Sequence, residues 1–170
     1  NVDYTLDANH VVDHLSKAFC GEGQHLYVPA VVSHVQTKRT LMKEDSIRQI
    51  MNAYDHLNVA LVGIGTADNT SSAFRSGYYS DEMKQQAVKD QVCGDICMHL
   101  FDKEGRTDCF PYNKQIVGVN LNKLKKVPYA IGIASGVRKA EAIRGAIKGG
   151  YINVLVTDAQ CGEALTRLND

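Results

Sequence analysis

The chain has 170 residues, 44% apolar and 22% charged, enough for one domain with its own core. Nineteen basic residues balance nineteen acidic ones, which argues against a domain that grips nucleic acid through a basic face. No apolar run approaches the roughly 20 residues that span a bilayer. The polar start, Asn1 to Asp7, has no signal-peptide core behind it, so the expected compartment is the cytoplasm.

In chain order, Asp7-Ala-Asn-His opens a helix that runs to about Phe19, with Asp7 or Asn9 as its cap and Cys20-Gly-Glu-Gly as its stop. His25 to Val28 is a short strand closed by Pro29. Thr37–Lys43 and Ser46–Tyr54 are helical, with Asp45 or Ser46 capping the second. Asn58 to Ile64 is a nearly continuous apolar run, the pattern of a parallel strand covered on both faces. The polar run from Gly65 to Ser80 has one positive charge, Arg75. A loop that long in a compact domain is functional or disordered. Its place after a parallel strand favours ligand binding, and its small polar residues predict a mobile lid that Arg75 would close on an anion.

Asp81–Lys89 is helical. Val92 to Phe101 is a mixed run, followed by a hairpin-like turn at Asp102-Lys-Glu-Gly105. Thr107–Tyr112 and Ile116–Val119 read as an extended antiparallel excursion. A short lysine-rich helix covers Leu121–Lys126. Tyr129–Ala134 is a buried strand, and apolar residues return at helical spacing from Val137 to Ile147 in a helix over 137–148, which Gly149-Gly150 stops. Ile152–Thr157 is another strand, and Asp158 caps a last helix to about Leu168. The pattern is α/β: a mostly parallel sheet with helices on both faces and a small antiparallel insert.

Candidate chemistry is sparse in nucleophiles. There is no Gly-x-Ser-x-Gly elbow or P-loop, and Gly63-Ile-Gly65 lacks the third glycine of a dinucleotide fingerprint. The five cysteines are scattered and read as free thiols; Cys93 and Cys97 lack zinc-knuckle spacing. His10 and His14 stand four apart with no accompanying Glu in a zinc-protease arrangement, and read as surface or capping residues. No cofactor or metal is expected.

A binding inventory remains. Ser135-Gly136 is a turn without bulk, leading into a helix whose first turn carries Arg138 and Lys139. Basic side chains are unfavourable at a helix N-terminus. A phosphate would compensate, accepting from backbone amides and Lys139 together; the alternative is a plain strand-to-helix turn with solvated basic residues. Asp95 follows Gly94 inside an apolar stretch, where an acid is paired or serves a ligand. A carboxylate suits sugar hydroxyls, whereas Arg75 and Lys139 suit phosphate.

Several stretches resemble, in this order, the effector-binding domain of the SorC family of bacterial transcriptional regulators. They are Val59-Ala-Leu-Val-Gly-Ile-Gly65, Val92-Cys-Gly-Asp-Ile96, Phe101-Asp-Lys-Glu-Gly105, Gln115-Ile-Val-Gly-Val-Asn-Leu121 and Val127-Pro128. Ile131-Gly-Ile-Ala-Ser-Gly-Val-Arg-Lys-Ala-Glu-Ala-Ile143 and Gly150-Tyr-Ile-Asn-Val-Leu-Val-Thr-Asp158 complete the set. The resemblance implies the sugar-isomerase and CoA-transferase architecture without its activity, and a phosphorylated sugar as effector. It makes Lys139 the phosphate-binding lysine, Asp95 the acid facing the sugar and Arg75 the arginine of the polar loop. Gly65, Thr66, Ser135 and Gly136 complete the expected site.

The resemblance further implies a homo-oligomer, dimer or tetramer, with no membrane partner. DNA would be bound only through a helix-turn-helix domain, which is not in this sequence. Residues 1–170 are then a single effector-binding domain lacking the family's first strand and its glycine- and threonine-rich ligand loop, so a sheet face or edge should lie uncovered. A catalytic sugar-phosphate isomerase or deaminase is the alternative. It would need an acid–base pair beside the phosphate cradle, and none is evident there.

Overall fold

The computed structural model describes residues 8–68, 71–75 and 77–168. Two three-stranded sheets organise them. The first is parallel, in the order β1 (Val59–Gly63), β5 (Tyr129–Ile133), β6 (Val154–Val156). The second is antiparallel, in the order β2 (Gly65–Thr66), β3 (Val92–Ile96), β4 (His99–Asp102). β1 and β2 are separated only by Ile64, so the chain passes straight from one sheet into the other. The helices are α1 (Ala8–Ala18), α2 (Val35–Leu41), α3 (Asp45–Ala53), α4 (Ser72–Arg75), α5 (Asp81–Lys89), α6 (Leu121–Leu124), α7 (Ala140–Lys148) and α8 (Ala159–Arg167).

The main core joins Ala60, Val62 and Ala130 of the parallel sheet to Ile96 and Phe101 of the antiparallel one, with α6, α7 and α8 packed around them. Small residues on α7, Ala142 and Ala146, let that helix sit closely against this core, and both are buried. A second core lies on the other side of β4, where Leu100 meets Phe74, Tyr79, Met83, Ala87 and Phe110.

The parallel sheet is half covered among the described residues. Residues of β1 alternate between exposed and buried, and Val59, Leu61, Tyr129, Ile133, Val154 and Val156 are all exposed. The run Asn58–Ile64 predicted cover on both faces, and the structure corrects this: among the described residues, helices cover one face and leave the other exposed.

Other differences have local causes. His25–Val28 is not a strand; backbone pairing nearby is a single bridge between Val31 and Ile116. The turn expected at Asp102–Gly105 is present, closed by the Gly105 amide on the Asp102 carbonyl at 2.8 Å, but β3 and β4 are joined by an earlier one at Cys97-Met98, whose two residues are left-handed (φ 48° and 67°). Such turns normally carry Asn or Gly, so the sequence gives no sign of this one. Thr107–Tyr112 and Ile116–Val119 form no strands; residues Pro111–Gln115 make a 3-10 turn. Asn113 of that turn stands in for a strand. Its side chain accepts from the Leu100 amide at 2.8 Å and donates to the Leu100 carbonyl at 2.7 Å. The helix expected from Val137 begins as a 3-10 turn, Val137–Lys139, before α7. Asp7, one of two expected caps for α1, lies outside the described residues.

Candidate functional site

The parallel strands end side by side, and the segments beyond their carboxyl ends converge. β1 runs into Ile64 and Gly65, β5 into Ser135 and Gly136, β6 into Thr157 and Asp158. Open α/β sheets bind ligands at this edge.

Lys139 spans two of these ends. Its Nζ donates to the Ile64 carbonyl at 2.8 Å, and two ammonium donors remain. Gly136 has φ 96°, a conformation a side chain would strain. Its amide donates to Asp158 Oδ2 at 2.5 Å, and Asp158 Oδ1 caps α8 by accepting from Cys161 N at 2.9 Å. These backbone donors hold the Asp158 carboxyl below its usual range. Val137 and Arg138 open a 3-10 turn closed by the Lys139 amide on the Gly136 carbonyl at 2.9 Å, so their amides precede its first bond and lie beside the ammonium. Ser135 is exposed.

Asp95 is 6% exposed and lies opposite Gly65 in the β2–β3 ladder. Its Oδ1 is buried with no hydrogen-bond partner. Burial pushes the carboxyl up to about 6, while a backbone hydrogen bond from Met98 and the charge of Lys139 pull it back down. A buried, half-satisfied carboxylate is costly unless something else uses it. Gly65 gives it room: a Cβ there would overlap Asp95 Oδ1 and come within 3.1 Å of its Cγ. Gly65→Ala should therefore destabilise the domain by about 1–3 kcal/mol through overpacking. Urea denaturation measures this, and an unchanged midpoint would mean that the carboxylate swings freely aside.

The structure thus brings Lys139, Asp95, Gly65 and Gly136 together. Thr66 is buried against Gly94, its partner in the ladder. Arg75 ends α4, is exposed, and has no side-chain partner among the described residues. The loop that carries it is not the bare polar segment predicted. Phe74 and Tyr79 are 3% and 2% exposed and stack at 5.0 Å in the second core. Their anchoring argues against a mobile lid. The Ile64 carbonyl, Tyr79 and the second role of Asp158 escaped the sequence; only Asp158 carried a signal, as a helix cap.

A surface cleft of about 300 Å³ lies elsewhere, lined by Lys38, Asn113 and His99 among others but by none of the predicted site residues. His99 there is pushed down to about 4 by burial and is neutral. No helix among the described residues is long and apolar enough to cross a membrane.

Comparison with known proteins gives the family. Residues 1–167 match the family model Sugar-bind, "Putative sugar-binding domain". The chain is 34% identical over 150 residues to the deoxyribonucleoside regulator of Bacillus subtilis, covering 88% of this chain and 48% of that protein. It is 32% identical over 139 residues to the sorbitol operon regulator of Klebsiella pneumoniae, covering 82% and 44%. The chain therefore spans about half the length of these curated relatives. The full-length sorbitol operon regulator SorC of Klebsiella pneumoniae superposes with a TM-score of 0.89 at 29% identity, covering 96% of this chain and 53% of that one. A DeoR family transcriptional regulator from Listeria monocytogenes gives 0.88 at 28%, covering 94% and 65%. On this evidence the chain belongs to the sugar-binding domain family of SorC- and DeoR-type bacterial transcriptional regulators.

Proposed function

We propose that this domain senses a phosphorylated sugar and, in a longer regulator of carbohydrate metabolism, couples its binding to DNA binding by a separate helix-turn-helix domain. The observation that carries the reading is the convergence, at one strand edge, of a lysine ammonium bonded to the Ile64 carbonyl and a buried carboxylate whose Oδ1 has no partner. Lys139 and the amides of Val137 and Arg138 suit a phosphate. Asp95 Oδ1 suits a sugar hydroxyl, a donor that the phosphate itself is not. Arg75 would reach an outer anionic oxygen of the same ligand. The domain acts as a sensor within a homo-oligomer, not as an enzyme.

The alternative is catalysis by an isomerase- or deaminase-like relative. The raised carboxyl of Asp95 is what a proton-transfer group also needs, but its titratable neighbours among the described residues are an ammonium bonded to the Ile64 carbonyl and a phenol and a thiol that burial pushes up, with no second carboxylate or imidazole. Calorimetry with a panel of sugar phosphates, their parent sugars and inorganic phosphate tests the proposal. One sugar phosphate should bind at least tenfold tighter than its parent sugar, the scale of a charge-assisted hydrogen bond, and be recovered unchanged. Conversion of the bound compound would favour catalysis, and equal affinity for sugar and sugar phosphate would remove the phosphate site.

A further inference from the structure

We infer that Tyr79 is a positioning residue for Asp95, holding the Cys97-Met98 turn so that the Met98 amide serves the carboxylate and leaves Oδ1 for a ligand. The inference rests on the proposed function only for what the ligand is; the positioning itself is a property of the empty domain.

The turn needs holding. Cys97 and Met98 both occupy the left-handed region without glycine's freedom, and such conformations persist only where their surroundings over-determine them. Two contacts fix Met98. Its carbonyl accepts from the Tyr79 hydroxyl at 2.5 Å, and its backbone N–H acts on the Asp95 carboxylate, pulling the carboxyl down. Burial, and then the Asp95 charge, raise the Tyr79 phenol far above its ordinary value, so it remains a donor. Tyr79 is itself immobile, 2% exposed and stacked on Phe74. The hydroxyl therefore fixes the peptide groups of a strained turn, and the turn orients the acid.

The charged and titratable groups that face Asp95 are Lys139, Tyr79 and Cys97. Of these, Tyr79 also grips the turn. It comes from the segment 66–80, so this arrangement ties the loop that carries Arg75 to the site acid through one residue, Met98.

Tyr79→Phe keeps the ring and deletes the hydroxyl. The Asp95 carboxyl should be titrated by carbon-13 NMR in the ligand-free protein, in wild type, Tyr79→Phe and Phe74→Leu. Loss of the hydroxyl should loosen the Met98 amide and move the Asp95 midpoint upward by about half a unit or more. Phe74→Leu, which disturbs the same core without touching the hydrogen bond, should lower the melting temperature and leave the midpoint in place. Affinity for the sugar phosphate should fall about threefold to tenfold in Tyr79→Phe, with inorganic phosphate binding unchanged. An unmoved midpoint in Tyr79→Phe, an equal shift in Phe74→Leu, or failure of Tyr79→Phe to fold would each assign Tyr79 to packing alone and overturn the inference. If the midpoint moves but wild type binds no sugar phosphate, the positioning stands and the proposed ligand is wrong.

Discussion

Asp95→Asn should stabilise the empty domain and weaken its hold on a sugar phosphate. The carboxyl titrates near 6, against an ordinary value of 3.8, because burial disfavours its charge. Between those values the folded state binds the proton more tightly than the unfolded chain, so stability falls as pH rises from about 4 to about 6 and is flat above. At neutral pH the ionised acid costs up to about 3 kcal/mol, from two units of displacement at about 1.4 kcal/mol each. Asn keeps the shape and an acceptor for the Met98 amide without the charge. Urea denaturation at pH 7.5 should show a gain of about 1–3 kcal/mol, shrinking towards zero at pH 4. The same substitution should cost sugar phosphate affinity about tenfold, through loss of a charge-assisted acceptor, and spare inorganic phosphate. A less stable Asp95→Asn at pH 7.5 would make the residue a structural acid instead.

Lys139→Ala should have the largest effect on binding. A charged hydrogen bond contributes about 1.5–3 kcal/mol, so calorimetry should record a loss of roughly 10- to 150-fold for the sugar phosphate and little for its parent sugar. The sequence predicts an intact fold. The structure adds a modest cost of about 1 kcal/mol, because Nζ also satisfies the Ile64 carbonyl. Removing the ammonium also takes away one of the two influences that hold the Asp95 carboxyl down, so the pH at which sugar binding is lost should move upward in this variant. Equal losses for the sugar and its phosphate would place Lys139 outside the phosphate contact.

Much of this site was legible in the sequence because its parts sit on regular elements. β1 and β5 are apolar runs of strand length, and α5 spans the residues predicted, with Ser80 accepting from Met83 N as its cap. Lys139 stood out as a basic residue in the first turn of a helix, and Asp95 as an acid inside an apolar stretch. The rest depended on signals that residue types do not carry. Cys97-Met98 makes a tight turn without Gly or Asn, so nothing marked it. Phe74 and Tyr79 lie among small polar residues, and only tertiary packing turns them from loop side chains into anchors. A lysine that bonds a backbone carbonyl 75 positions away leaves no local pattern at all.

Asn113 has a consequence for solubility. β4 is the outer strand of its sheet, and outer strands offer unpaired amides and carbonyls on which another chain can add. By holding both backbone groups of Leu100, the Asn113 side chain plugs that template. Asn113→Ala would bare the Leu100 amide and carbonyl in that edge, leaving the Asp102 amide on the Arg106 carbonyl, and the freed groups could then pair with the same edge of a neighbouring molecule. The signature would be slow, concentration-dependent growth of intermolecular sheet, visible by infrared spectroscopy.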